Sequence, residues 1–166
     1  MDAGLLMIRM VFGLVMAAHG AQKLFGWFGG YGIAGTGGFM ESLGFRPGRV
    51  FAMAAGASEI IGGLLLALGL LGPLGPAMII SVMIVAIATV HWAHGLFAQN
   101  NGSELPLLYI AGAAAIALIG NGAYSLDAAL SLSWRPEVVW TVLALGVVGG
   151  FANLAVRKTA PTEAHV

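Results

Sequence analysis

The sequence contains no cysteine. That excludes disulfides, a thiol nucleophile and any thiolate metal site built by the chain itself. Any thiol chemistry has to sit on a partner. Charge is almost as scarce: 8% of the 166 residues are Asp, Glu, Lys or Arg, where soluble domains carry roughly 25%. So few charges cannot cover a water-facing surface. Seven acids balance seven bases, and a net charge of zero points away from nucleic acid. What the chain has instead is apolar residues, 59% of the total, which identifies an integral membrane protein.

A membrane-spanning helix needs about 20 mostly apolar residues. Five segments have this character: Ala3 to Phe25, Val50 to Leu71, Leu74 to Trp92, Leu105 to about Gly120, and Val138 to Val156. Asp2 stands where a cleaved signal would carry basic residues, and Arg9 interrupts the first apolar run; this segment is read as a retained helix. The fourth segment is short, with no charge after it until Asp127. The fifth is apolar all the way round, which disfavours an amphipathic surface helix. The expectation is an all-α protein with five membrane passes.

The connections differ in kind. "GLLGPLGP" is a tight uncharged turn between the second and third segments. "GTGGFMESLGFRPGR" is a longer loop with a short helical or interfacial piece, FMESLGF, stopped by Arg46-Pro47-Gly48. "NGAYSLDAALSLSWRPE" reads as an interfacial amphipathic stretch anchored by Tyr124 and Trp134. The tail TAPTEAHV is polar and expected to be disordered.

Five passes put the two termini on opposite faces. With the N-terminus on face A, Lys23, Arg46, Arg49, Arg157 and Lys158 fall at or near face B, while Arg135 alone flanks face A. The positive-inside bias makes B the cytoplasmic face and places the N-terminus outside.

Ionisable groups inside a membrane are costly and usually face the bundle interior. They are Arg9, His19, Lys23, Glu59 and His91. On the first helix Arg9, Phe12, Met16, His19 and Lys23 follow a 3-4-3-4 rhythm, forming one inward stripe. At about 1.5 Å rise per residue, Glu59 lies roughly 14 Å in from face B, level between His19 and Arg9. His91 and Trp92 arrive at face B on the third helix. The spacing therefore predicts a polar pocket opening at B, with His19, Lys23 and His91 around it, Glu59 as its floor, and Arg9 beneath Glu59 or paired with it.

Plainer readings stand beside this one. Arg9 with Glu59 reads equally as a buried ion pair that fixes helix order. Lys23 is placed to snorkel to the headgroups. His91-Trp92 reads also as an interface anchor, and His94 and His165 as solvated. His91 and His94 lack a supporting ligand cluster, so no metal site is expected. Gly30 to Gly35 matches G-x-G-x-x-G, but after a membrane helix rather than a strand it reads as a tight re-entrant or surface loop. Trp27, Phe28 and Tyr31 beside it sit at headgroup level. Gly62-Gly63, Gly69 and Gly112 read as sites of close helix approach.

The stretches "RMVFGLVMAAHGAQKLFGWFGG", "GTGGFMESLGFRPGR", "GASEIIGGLLLALGLLGPL", "VHWAHGLF", "NNGSELPLLYI" and "GNGAYSLDAAL" together resemble the DoxX family of small bacterial membrane proteins, over about residues 5 to 130. The resemblance implies a four-helix transmembrane bundle over residues 1–133. Residues 134–157 then form an additional fifth, C-terminal transmembrane helix, and 158–166 a polar tail. It also implies a bacterial cytoplasmic membrane. The family takes its name from similarity to a subunit of a thiosulfate:quinone oxidoreductase. The implied function is a membrane subunit of a redox system that interacts with quinone or a similar small amphiphile. No covalently bound cofactor is implied. The implied partners are membrane lipid and a soluble or membrane redox protein, and a homo-oligomer is compatible with the sequence. Two alternatives stay open: a carrier for a small amphiphile or lipid, and a non-catalytic anchor for a soluble oxidoreductase. Candidate catalytic residues are His19, Glu59 and His91. Candidate ligand-binding residues are Arg9, Lys23, Trp27 and Trp92.

Overall fold

The computed structural model describes residues 1–158; the expectations for His165 and for the polar tail after Lys158 lie outside these. The described residues are all-helical. In chain order they form α1 (Asp2–Phe25), α2 (Gly32–Ser42), α3 (Gly48–Leu68), α4 (Leu74–Ala86), α5 (Glu104–Ile119), the single turn α6 (Leu126–Ala129) and α7 (Pro136–Ala155). The helical path of α4 continues through a wide π turn at Ile87–His91 and a tight 3-10 turn at Trp92–His94.

Four helices are long and apolar enough to cross a membrane: α1, α3, α4 with its extension to His94, and α7. The 16-residue α5 is apolar but shorter. Large apolar side chains such as Val11, Leu64, Leu108, Leu145 and Val148 face outward. In water this exposed surface would be a severe liability; in hydrocarbon it is the solvated one. Exposed aromatics mark both ends, Trp27 and Trp92 at face B, Tyr124 and Trp140 at face A, as an interfacial belt requires.

Small residues set the helix spacing. Gly13 and Gly20 of α1 lie against Gly63 and Gly56 of α3, so closely that an added Cβ would collide with backbone. This glycine seam fixes the antiparallel register, with Gly20 opposite Gly56 and Gly13 opposite Gly63. Gly75 does the same between α3 and α4, and Gly146 between α7 and α4. Without a hydrophobic drive between helices in lipid, such close backbone approach supplies the packing energy. Met16, Leu66, Ile79, Ala113, Ile116 and Leu143 then meet in one core shared by α1, α3, α4, α5 and α7. The helix after Trp134 is thus packed along α4 rather than peripheral to the bundle.

One local expectation changes, and one connection becomes specific. The glycine-rich stretch after Tyr31 is not a re-entrant loop: Gly32–Ser42 is helical. Its small side chains let α2 lie on the start of α3, where Gly37 is in contact with the Arg49 backbone. The stretch before α7, read as interfacial and amphipathic, has no continuous helix. It is an irregular segment with one helical turn, N-capped by Ser125, whose hydroxyl accepts from the Ala128 amide at 3.1 Å. The Arg157 guanidinium donates to the Leu43 carbonyl, and the Lys158 amide to that of Gly44 at 2.9 Å. The end of α7 is thereby fastened to the α2–α3 corner, and the face-B cations gather there.

Candidate functional site

Lys23 and Glu59 form an ion pair in the face-B half of the bundle. Lys23 Nζ donates to both Glu59 carboxylate oxygens at 2.6 Å. The Glu59 side chain is 2% exposed and that of Lys23 28%. In the register set by the glycine seam, Lys23 lies about six residues closer to face B than Glu59, or roughly 9 Å. They meet because Cα–Cβ bonds tilt toward a helix N-terminus. On α1 that tilt aims Lys23 inward; on α3 it aims Glu59 toward face B. Lys23 therefore does not snorkel to the headgroups.

The same geometry separates Arg9 from Glu59. Arg9 lies about 12 Å further toward face A, and its tilt carries it away. Its guanidinium donates to the carbonyls of Asn121 and Tyr124, and the residue is buried. Arg9 lies deeper toward face A than Glu59 and is not paired with it.

Lys23 and Glu59 border a cavity of about 260 Å³ between α2, α3, α4 and α7. Phe39, Met40, Phe45, Phe51 and Val85 supply an apolar wall. Ser58, Ser81, Thr89 and His91 add polar groups. The π turn of α4 lies within this wall: Thr89, Val90 and His91 all belong to it. Such turns insert an extra residue and re-aim the side chains that follow, and they recur at functional sites. The His91 ring is held from outside, its Nδ1 2.7 Å from the Asn101 carbonyl oxygen.

Of the residues expected to converge, Lys23, Glu59 and His91 line this cavity. His19 does not. It immediately precedes Gly20, and one residue is about 100° around a helix; facing Gly20 onto α3 turns His19 outward. Its ring lies edge-on to Tyr109 of α5, centroids 6.4 Å apart, with Nδ1 3.2 Å from Gln22 Oε1. Trp27 and Trp92 are 60% and 76% exposed and lie outside the cavity. Among the described residues no three His, Asp or Glu side chains gather as a metal site.

A residue that the sequence reading left without a role organises face A. Asp127 is 4% exposed. Its carboxylate accepts from the Leu71 and Gly72 amides, Asn121 Nδ2 and Trp134 Nε1, each at 2.8 Å. One acid thus ties the α3–α4 turn, the end of α5 and the approach to α7, near the Arg9 guanidinium. A cavity of about 340 Å³ adjoins it, but the carboxylate is already engaged by these four donors. The available signal was an acid two residues after a capping serine.

A family model for DoxX matches residues 4–92, which takes in nearly all of α1 and runs through the π turn after α4, and with it Lys23, Glu59 and His91. The chain belongs to the DoxX family. The matched stretch ends at Trp92, short of α5 and α7. No curated protein and no solved structure matches the chain. The family, the apolar helices and the outward apolar surface together establish a multi-pass integral membrane protein.

Proposed function

We propose that this DoxX-family protein is the membrane subunit of a redox system and that its face-B cavity takes the headgroup of a quinone or similar small amphiphile. The supporting observation is the meeting of Lys23, Glu59 and His91 around one partly apolar cavity. At about 260 Å³ it is slightly below the roughly 300–1,000 Å³ of common ligand pockets. That volume suits a single substituted ring, with an isoprenoid tail left in the lipid. Aromatic and aliphatic walls with a few convergent polar groups suit such a headgroup. Electrons come from a partner or a soluble donor; the chain has no thiol of its own.

In this reading α5 spans the bilayer with the other four long helices, in a bacterial cytoplasmic membrane. Its start follows the face-B loop and its end joins the Asp127 network on face A. Face B, carrying Arg46, Arg49, Arg157 and Lys158, is cytoplasmic by the positive-inside rule and is where a soluble partner docks. Arg135, the one lysine or arginine flanking face A outside the helices, lies 3.3 Å from Glu137.

The test is mass spectrometry of the protein purified in native lipid. Retained quinone, lost in Glu59→Gln, supports the reading. Retention of a different lipid assigns a carrier. An empty cavity with a stably co-purifying enzyme assigns an anchor.

A further inference from the structure

We infer that the cavity is built for a ring that both donates and accepts a hydrogen bond, so that it holds a hydroquinone more tightly than the corresponding quinone. This rests on the reading of the cavity as an amphiphile site and adds which form of the ring that site prefers.

The argument starts at His91. Its Nδ1 lies 2.7 Å from the Asn101 carbonyl oxygen. A carbonyl oxygen only accepts, so Nδ1 carries the proton, and Nε2 of the neutral ring is left as an acceptor. The carbonyl is held by its own loop. Asn101 takes a left-handed conformation with φ 62, one that asparagine tolerates better than most residues. Its amide donates to Ala98 at 2.9 Å, and the next amide, of Gly102, to Phe97 at 3.0 Å. The loop therefore sets the tautomer of a histidine that lines the cavity.

Lys23 is the opposite pole. An ammonium group has three donors, and two go to Glu59 Oε1 and Oε2. The third has no protein acceptor among the described residues, and the side chain is partly accessible. The Glu59 oxygens each accept from Lys23, and their side chain is 2% exposed, which leaves them little reach into the cavity. Ser58 and Ser81 carry hydroxyls that both donate and accept, so they do not discriminate between ring forms.

A quinone offers two carbonyl acceptors. One satisfies Lys23, and the other faces Nε2 lone pair against lone pair. A hydroquinone satisfies both poles, its hydroxyl donating to His91 Nε2 and its second oxygen accepting from Lys23. A hydroquinone dimethyl ether has the acceptors without the donor and behaves like the quinone.

The experiment uses the full chain in lipid nanodiscs and three short-tailed ligands of one ring: the quinone, the hydroquinone kept anaerobic, and its dimethyl ether. The hydroquinone is expected to bind roughly 5-fold tighter than the other two, the worth of one hydrogen bond. His91→Asn keeps an amide N–H where Nδ1 sits, and so its bond to Asn101, but has no counterpart of Nε2. It is expected to lose the preference, so that hydroquinone, quinone and dimethyl ether bind it alike. Equal binding of all three ligands to the native protein, or a preference that survives in His91→Asn, overturns the assignment and leaves the cavity reading standing. Binding of none of them overturns both.

Discussion

Lys23 Nζ lies 2.6 Å from each oxygen of Glu59, and the two residues come from helices running in opposite directions. Their side chains converge because each leans toward its own helix N-terminus. The lysine thus forgoes the headgroup region, its default site near a helix end, for a carboxylate inside the bundle. A pair in this position is a costly way to hold two helices together. Its placement at the edge of a cavity gives it a use that packing alone does not.

Removing one partner strands the other. Lys23→Met leaves Glu59 with no cation beside it and is expected to destabilise the protein by about 3 kcal/mol or more. The double variant Lys23→Met/Glu59→Gln removes both charges and should recover most of that loss. Thermal unfolding of Lys23→Met, Glu59→Gln and the double variant in one detergent measures the coupling, and additive losses would show that the pair is not coupled.

The glycine seam gives a sharper stability test, because two effects oppose. Glycine to alanine in a helix interior gains about 1 kcal/mol from propensity. At Gly63 the added Cβ would lie 2.7 Å from the Ala17 amide nitrogen, so α1 and α3 must part. Overpacking of this kind costs about 1–3 kcal/mol. Gly63→Ala should therefore lower the melting temperature, whereas Gly4→Ala, with nothing within 4 Å, should leave it unchanged or slightly raised.

Composition and apolar run length made the helices legible, to within a few residues at most ends. The cavity was legible in part, because helix direction and rise place Lys23, Glu59 and His91 at related depths. Rotation was less so. The 3-4-3-4 stripe on α1 treated five polar or bulky residues as one face, while Gly13 and Gly20 were the residues that set the face. That choice turned His19 outward. The Arg9–Glu59 pair failed for a different reason: the lean of each side chain toward its own helix N-terminus carries the two apart. Asp127 escaped because its partners are two backbone amides, a carboxamide and an indole, which leave no charge pattern to read.

Asp127→Ala tests the face-A network. It leaves the Leu71 and Gly72 amides, Asn121 Nδ2 and Trp134 Nε1 without their acceptor, and removes the anion nearest Arg9. Each buried donor left unpaired costs about 1–3 kcal/mol. Even with water reaching some of them, a loss of about 3 kcal/mol is expected, alongside a change in Trp134 fluorescence. Quinone content per folded molecule should be unaffected, since Asp127 does not line the face-B cavity; a parallel loss of both would mean that the two ends are linked.

The absence of cysteine supplies the test of topology, because a single introduced thiol is then the only one in the chain. Gln99 lies in the loop before α5 and Ser133 in the segment after it, both exposed. If α5 crosses the membrane, Gln99→Cys and Ser133→Cys stand on opposite sides. A membrane-impermeant maleimide on intact cells should label Ser133→Cys and spare Gln99→Cys until the membrane is opened. The reverse pattern would turn the protein over and put the basic α2–α3 corner outside, against the positive-inside rule. Labelling of both from one side would show that α5 enters and leaves by the same face.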